Sequence, residues 1–388
     1  MGAGFLFWVI AAKLYSVEDV GKATALISSL SLIMLLSRLG FDNSLIRFIS
    51  GSDQDEVFNT VLTITSLSTL AICLIYLAAD SLLQSPLIPD IGCGFVFTVV
   101  AVFNSVTLIT GNMFLALRSA RNYLMQNIVL CLRLLFLFPL IYVHSFGIFL
   151  SLGLCYGLAS LQAAFSLKNK GIRVRRPAVS KSFVKKSIKF SLGNYVSSNL
   201  NQAPGYMLPI LVLHLLDAGS AAKFYIAFTL GNLTMVIPYA LSTSLFVEGS
   251  NEQPLRENLI KALSAAYLSL IPCVIIVFLL GKNILGFIDP DYIEAYNLLR
   301  LVALSKFVEV LFVIYISVQN IRMKVKEVVQ TNLLYFILIL SLSCFFITKF
   351  NILGVGYAWL VTYVILTFFM MGQFWQERTL QSKEKTTV

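Results

Sequence analysis

Apolar runs of about one bilayer thickness repeat along this chain, each cut from the next by a few polar residues. The runs are continuous rather than alternating, which predicts membrane-spanning helices of roughly 20 residues instead of barrel strands of about ten. Ahead of the middle of the chain, spans are expected at 20–39, 57–79, 93–115, 123–143 and 146–167. The apolar stretch 1–12 precedes them. It is about half the length needed to cross a bilayer and lacks the basic leading region of a signal peptide. It is therefore expected to be a shortened first span without its cytoplasmic half, or the product of a reading frame called from an internal start. The polar turn from Ser16 to Asp19 supplies a candidate N-cap, Ser16, with Glu18 and Asp19 in the next first turn. Between the second and third spans, 38–55 reads as a short loop carrying Arg38, Asp42 and Arg47.

The one long polar island lies near the middle: Lys168, Lys170, Arg173, Arg175, Arg176, Lys181, Lys185, Lys186 and Lys189. After it the rhythm resumes, with spans expected at 190–216, 223–246, 259–280, 295–318, 329–347 and 354–375, and then a charged tail. The expected architecture is an all-α integral membrane protein of about 12 transmembrane helices in two six-helix bundles. Residues 1–167 form the first bundle, 168–189 a basic cytoplasmic linker, and 190–388 the second bundle with its tail. Lys13-Leu14-Tyr15-Ser16 followed by Lys22 resembles His214-Leu215-Leu216-Asp217 followed by Lys223. This local echo, at about half the chain's length, accords with bundles related by pseudo-two-fold symmetry.

Composition agrees with the pattern. The chain is 58% hydrophobic and 12% charged, with mean hydropathy +0.83, whereas a soluble domain carries roughly 25% charged residues. The net charge of +10 would suit nucleic acid, but the positive-inside rule accounts for it more simply, and no nucleic-acid partner is expected. The island groups with Arg38, Arg47, Arg118, Arg121, Arg256, Lys261, Arg322, Lys324, Lys326, Arg378, Lys383 and Lys385 on one side of the membrane. Only Lys13, Lys22, Lys223, Lys282 and Lys349 fall on the other. The island and the C-terminus are therefore expected in the cytoplasm of a multi-pass cell-membrane protein. The cysteines show no CxxC pair, and neither His144 nor His214 stands at ligand spacing from a partner. A metal site, a cofactor and a disulfide framework are not expected.

No GxxxxGK[ST], HExxH or GxSxG motif is present. The outer loops are too short to hold an extracytoplasmic active site. What remains is polarity inside the spans, which is costly in lipid and so marks candidate sites. Arg133 lies near mid-membrane in the fifth span, with Gln126 seven residues earlier on the same face. In the tenth span Lys306 and Glu309 stand three apart, close enough to pair, and Arg300 lies nearer the outer surface. Arg38 and Arg47 mark the cytoplasmic mouth, or serve only as topology charges. Uncharged stripes follow Asn59, Thr63, Ser66 and Cys73; Asn104, Thr107 and Gly111; and Asn194, Ser198 and Asn201. They read either as interhelical packing or as the wall of a sugar-binding cavity. Pro204, Pro209 and Pro238 should kink or break their helices.

Several stretches carry a resemblance. Gly4-Phe5-Leu6-Phe7-Trp8, Ala11 to Gly21, Ser37-Arg38-Leu39-Gly40-Phe41-Asp42 and Leu45-Ile46-Arg47-Phe48-Ile49 resemble the opening of Wzx-type polysaccharide exporters. These belong to the multidrug/oligosaccharidyl-lipid/polysaccharide (MOP) flippase superfamily. The resemblance implies two six-helix bundles around a cavity that flips isoprenoid-diphosphate-linked oligosaccharide from the cytoplasmic to the outer leaflet. It also implies membrane lipids and polysaccharide assembly proteins as partners, and no enzymatic step. Cavity candidates are then Arg133, Gln126, Arg47, Arg38, Asn104, Asn194, Asn201, Arg300, Lys306 and Glu309, with arginines for the diphosphate and amides for the sugar. A drug or metabolite:cation antiporter of the same superfamily would need acidic cavity residues in the first bundle, where the chain offers little beyond Asp42. A membrane enzyme acting on lipid-linked glycan ranks below it for want of an outer loop.

Overall fold

The computed structural model describes residues 2–49, 53–83, 86–172, 179–250 and 255–386. Arg173, Arg175 and Arg176 lie outside the described residues, as do the side chains of Lys186, Lys189, Asn194, Arg256, Arg378, Lys383 and Lys385.

The long apolar runs are helices. In chain order they are α1 (Gly2–Leu14), α2 (Val17–Ser37), α3 (Phe41–Phe48), α4 (Gln54–Ser81), α5 (Ile91–Ala116), α6 (Ala120–Cys131), α7 (Arg133–Phe136), α8 (His144–Asn169) and α9 (Lys181–Leu215). There follow α10 (Ala218–Leu233), α11 (Val236–Ser250), α12 (Leu255–Ile288), α13 (Tyr296–Ile321), α14 (Val325–Phe350) and α15 (Leu353–Thr386). Short 3-10 turns at Ile141–Val143 and Pro290–Ala295 complete the set, and the described residues contain no strand. Among the described residues eight helices are long and apolar enough to cross a membrane on their own, and α10 with α11 makes a ninth span if the pair, bent by 50°, is taken as one. Large apolar side chains such as Ile75, Phe95, Phe165, Leu268, Leu279 and Phe368 point outward. In water they would form a continuous adhesive surface, so lipid is their solvent.

Helix starts follow local chemistry. Ser16 accepts from the Asp19 amide, Asp53 from those of Asp55 and Glu56, Asp90 from Cys93 and Asp217 from Ser220, each satisfying donors that the first turn leaves free. These bonds hold the Asp90 and Asp217 carboxyls below the usual carboxylate range.

Three stretches differ from the sequence pattern. The expected loop at 38–55 contains α3, because Phe41, Leu45 and Ile49 recur at helical spacing and enter the core. Gly40, at φ 76°, makes the left-handed turn into it. The expected fifth span is broken into α6, α7 and a 3-10 turn; Pro139 has no N–H for the Leu135 carbonyl, so α7 stops at Phe136. The eighth span breaks between Leu233 and Val236, just ahead of Pro238 where a break or kink was expected, whereas α9 runs through Pro204 and Pro209 as one helix.

The chain divides into two compact units, Met1–Ile210 and Leu211–Val388. In the first, one apolar layer joins Phe41 and Leu45 to Phe58, Phe114 and Leu167. A second layer, toward the other helix ends, joins Leu26 and Leu30 to Phe97, Val100 and Phe149. Asp19 ties the start of α2 to that of α8, accepting from the Ser145 amide at 3.1 Å and facing His144 Nδ1 at 3.4 Å. In the second unit α13 and α15 are the most buried spans, and α12 and α14 expose more apolar surface.

Candidate functional site

In the first unit polarity collects between the two apolar layers. Gln126 on α6 is buried and donates through Nε2 to the Thr107 carbonyl at 2.9 Å and to Thr110 Oγ1 at 2.8 Å, both on α5. Thr107 Oγ1 in turn reaches the Tyr156 carbonyl at 3.0 Å and Ser160 Oγ at 3.1 Å on α8. These groups join three helices, so Gln126 and Thr107 are committed to packing. Thr63, Thr65 and Thr69 bond back to carbonyls of their own helix α4.

Arg133 differs. It stands at the first residue of α7, where the break in the span brings it to α1: its guanidinium carbon lies 5.4 Å from the centre of the Phe7 ring. Gly4 on α1 lies beside it: a Cβ there would be 3.7 Å from the arginine Nη2, an ordinary contact distance. Arg133 Nε is buried with no acceptor. No carboxylate is paired with Arg133 among the described residues. A cation in this position needs an acceptor, because an unpaired buried donor keeps its full desolvation cost.

The remaining first-unit candidates are more peripheral. Arg38 donates to the Met34 carbonyl at 3.2 Å and to Asp42 Oδ2 at 3.4 Å, so it joins α2 to α3. Arg47 is exposed at the end of α3, 5.9 Å from the Phe48 ring. Asn104 is half-buried on α5, and Asn201 is exposed on α9. The Asn194 side chain lies outside the described residues.

The second unit holds a closed charged centre. Lys306 and Glu309 are 0% and 3% exposed, and Nζ lies 2.7 Å from Oε2. Asn232 on α10 accepts from Lys306 Nζ at 2.8 Å, and the Tyr239 hydroxyl on α11 donates to Glu309 Oε1 at 2.9 Å. Aromatic rings surround the pair. Phe228 and Trp359 each lie 5.6 Å from Nζ, and Tyr335 and Tyr363 stack on each other at 5.8 Å. Five helices contribute, α10, α11, α13, α14 and α15. Arg300, further toward the start of α13, rests 4.7 Å from the Phe278 ring and 5.6 Å from Tyr296, again with a buried Nε lacking an acceptor. The i, i+3 spacing of Lys306 and Glu309 was visible in the sequence. Their partners were not, although Asn232, a lone amide in an apolar span, was a usable signal.

Solved structures share this arrangement of helices. An inward-facing multidrug resistance MATE family transporter of the MOP superfamily aligns over 99% of this chain and 96% of its own, with TM-score 0.72 and 13% identity. The fold is one seen in these transporters. The lipid II flippase MurJ, in an inward closed conformation, aligns over 96% of this chain and 85% of its own, with TM-score 0.72 and 14% identity. An outward-facing MATE transporter aligns over 99% of this chain with TM-score 0.64 and 14% identity. No protein-family model matches the sequence, and no curated protein matches it. The chain is a multi-pass membrane protein of this fold.

Proposed function

We propose that this protein is a Wzx-type flippase of the MOP superfamily. It would carry isoprenoid-diphosphate-linked oligosaccharide from the cytoplasmic to the outer leaflet by alternating access. The fold shared with a multidrug transporter and a lipid II flippase supports transport and leaves the cargo open. The observation that favours an anionic, lipid-linked cargo is Arg133, whose buried Nε has no acceptor and whose guanidinium is paired with no carboxylate among the described residues. A charged residue at mid-membrane costs roughly 2.5–3.5 kcal/mol on insertion scales. A diphosphate offers the paired oxygens that a guanidinium fork bonds best.

A drug or metabolite:cation antiporter needs a carboxylate able to exchange a cation. In the first unit, the spans from α4 to α9 carry acids only at their ends. Asp42 faces Arg38, and Asp80 accepts from the amides of Leu87 and Ile88. This favours the anionic cargo. In the same reading, 1–167 and 190–388 are the two bundles, 168–189 is the cytoplasmic linker between them, and polysaccharide assembly proteins receive the product.

The test is flipping of a labelled lipid-linked oligosaccharide in proteoliposomes, run beside counterflow of a cationic drug. Wild type is expected to flip the lipid-linked sugar, Arg133→Ala to lose at least tenfold in rate, and Arg133→Lys to recover part of it. Normal flipping by Arg133→Ala would remove the arginine from the mechanism. Drug exchange without flipping would replace the flippase by the antiporter.

A further inference from the structure

The broken span of the second unit and its buried ion pair meet at one place. Asn232 is the last residue but one of α10, and Tyr239 lies in the first turn of α11. The 50° bend falls between them. Asn232 holds Lys306 and Tyr239 holds Glu309. Each half of the span is thus tied to one member of the pair.

We propose that the Lys306–Glu309 pair is a latch that sets the bend of the α10–α11 span, so that loss of either charge lets the span straighten. The proposal rests on the second unit alone and does not depend on which substrate is carried. Its physical basis is a mismatch of spacings. In a continuous helix Asn232 and Tyr239 would share a face but stand about 10 Å apart along the axis, whereas Lys306 and Glu309 are separated by only about 4.5 Å along theirs. Bending brings the two tethers closer to the spacing of the pair. Because the pair is enclosed by aromatic rings, a tether that lets go leaves a charged group short of a partner with no water to replace it.

Both halves have further reason to stay on α13. A Cβ at Gly231 would lie 2.5 Å from Val302 Cγ1, so α10 approaches α13 closely just before the bend. Beyond it, Ser242 Oγ on α11 lies 2.6 Å from Ser317 Oγ and 3.3 Å from the Val313 carbonyl. Pro238 does not account for the angle. It is the third residue of α11, where a new helix has no internal acceptor for the missing N–H. It permits the break and leaves the angle to the side chains.

The experiment places nitroxides at Gly219 and Val247, through cysteines in a full-length background with the six native cysteines replaced, and measures their separation by pulsed dipolar spectroscopy. Straightening a 50° bend lengthens this separation by about 4 Å. Glu309→Gln and Lys306→Met are each expected to shift the distribution to the longer distance. Tyr239→Phe, which removes one hydroxyl and leaves the charges paired, is expected to do the same. Pro238→Ala is expected to leave the distance within about 1 Å of wild type. Unchanged distances in Glu309→Gln and Lys306→Met would overturn the latch, as would straightening by Pro238→Ala alone. Should the single variants fail to fold, the uncharged pair Lys306→Met with Glu309→Leu leaves no buried charge alone. It must then show the longer distance, and a retained bend would overturn the proposal.

Discussion

Gln126 and Arg133 illustrate how two polar residues of one predicted span acquire different roles. Gln126 has both Nε2 hydrogens committed to α5, and Arg133 keeps a buried donor without an acceptor. Replacing Gln126 by Met keeps most of its volume and deletes both bonds, while the Thr107 carbonyl still accepts from Thr110 Oγ1 at 3.0 Å. A loss of about 1–3 kcal/mol is expected, read as a lowered unfolding midpoint in detergent, with flipping otherwise normal. A drop in flipping without a drop in stability would instead place Gln126 against the substrate. Asp217 provides a pH-dependent case outside the spans. Its carboxyl caps α10 and is held below the ordinary value of 3.8, so its contribution is complete above that value and disappears as pH falls through the lowered folded one. Asp217→Asn can still cap but cannot titrate. Stability at pH 7 should therefore be nearly unchanged, while the part of the acid-induced loss that belongs to this carboxyl disappears. An identical acid profile in wild type and variant would refute that assignment.

At the scale of elements, close helix approaches explain much of the second unit's shape. The turn between α14 and α15 is tight: Asn351 has φ 50°, and a Cβ on Gly354 would lie 2.3 Å from the Phe346 backbone. Backbone atoms cannot swing aside as a side-chain tip can. Gly354→Ala is therefore expected to cost about 1–3 kcal/mol by forcing the two helices apart. The check is its thermal midpoint against that of Gly372→Ala, where a Cβ meets nothing within 4 Å. In the first unit, α3 shows how a short element escapes hydropathy scanning. Eight residues cannot span, yet Phe41 and Leu45 recur at helical spacing and pack with Phe58 and Phe114. The interruption of the fifth span has half its cause in the sequence, at Pro139, which ends α7. The turn at Leu132, which sets Arg133 against Phe7, has no such local signal.

For the whole molecule, the composition requires a lipid solvent, and the fold is shared with a solved MATE transporter and the flippase MurJ. Basic residues gathered on one side predict a cytoplasmic C-terminus. A fluorescent protein fused after Val388 is expected to light up, and an alkaline phosphatase at the same point to stay inactive. The reverse result would invert the orientation and, with it, the direction of transport. Neutralising Arg173, Arg175 and Arg176 together tests whether the basic island also gathers anionic substrate. A reduced rate with unchanged topology is expected if it does, and an unchanged rate confines the island to anchoring, at about 1 kcal/mol per basic residue near anionic headgroups.

The helical, membrane-spanning character and the approximate limits of most spans were legible in the sequence, because each requires roughly 20 apolar residues in a row; the breaks that leave eight or nine full spans among the described residues, against about 12 expected, were not. The cap at Ser16 belongs to the same local class, and those that the structure adds at Asp53, Asp90 and Asp217 rest on equally local bonds. The pairing of Lys306 with Glu309 also follows from spacing on one helix. Tertiary structure alone decided what surrounds that pair. Asn232 comes 74 residues earlier and Tyr239 70 residues earlier than the charges they hold, and no periodicity within one helix encodes a partner on another. The same holds for Arg133, whose packing against Phe7 and lack of an acceptor depend on how α1, α7 and α8 come together. Hydropathy is a property of each segment, whereas satisfaction of a buried polar atom is a property of its neighbours.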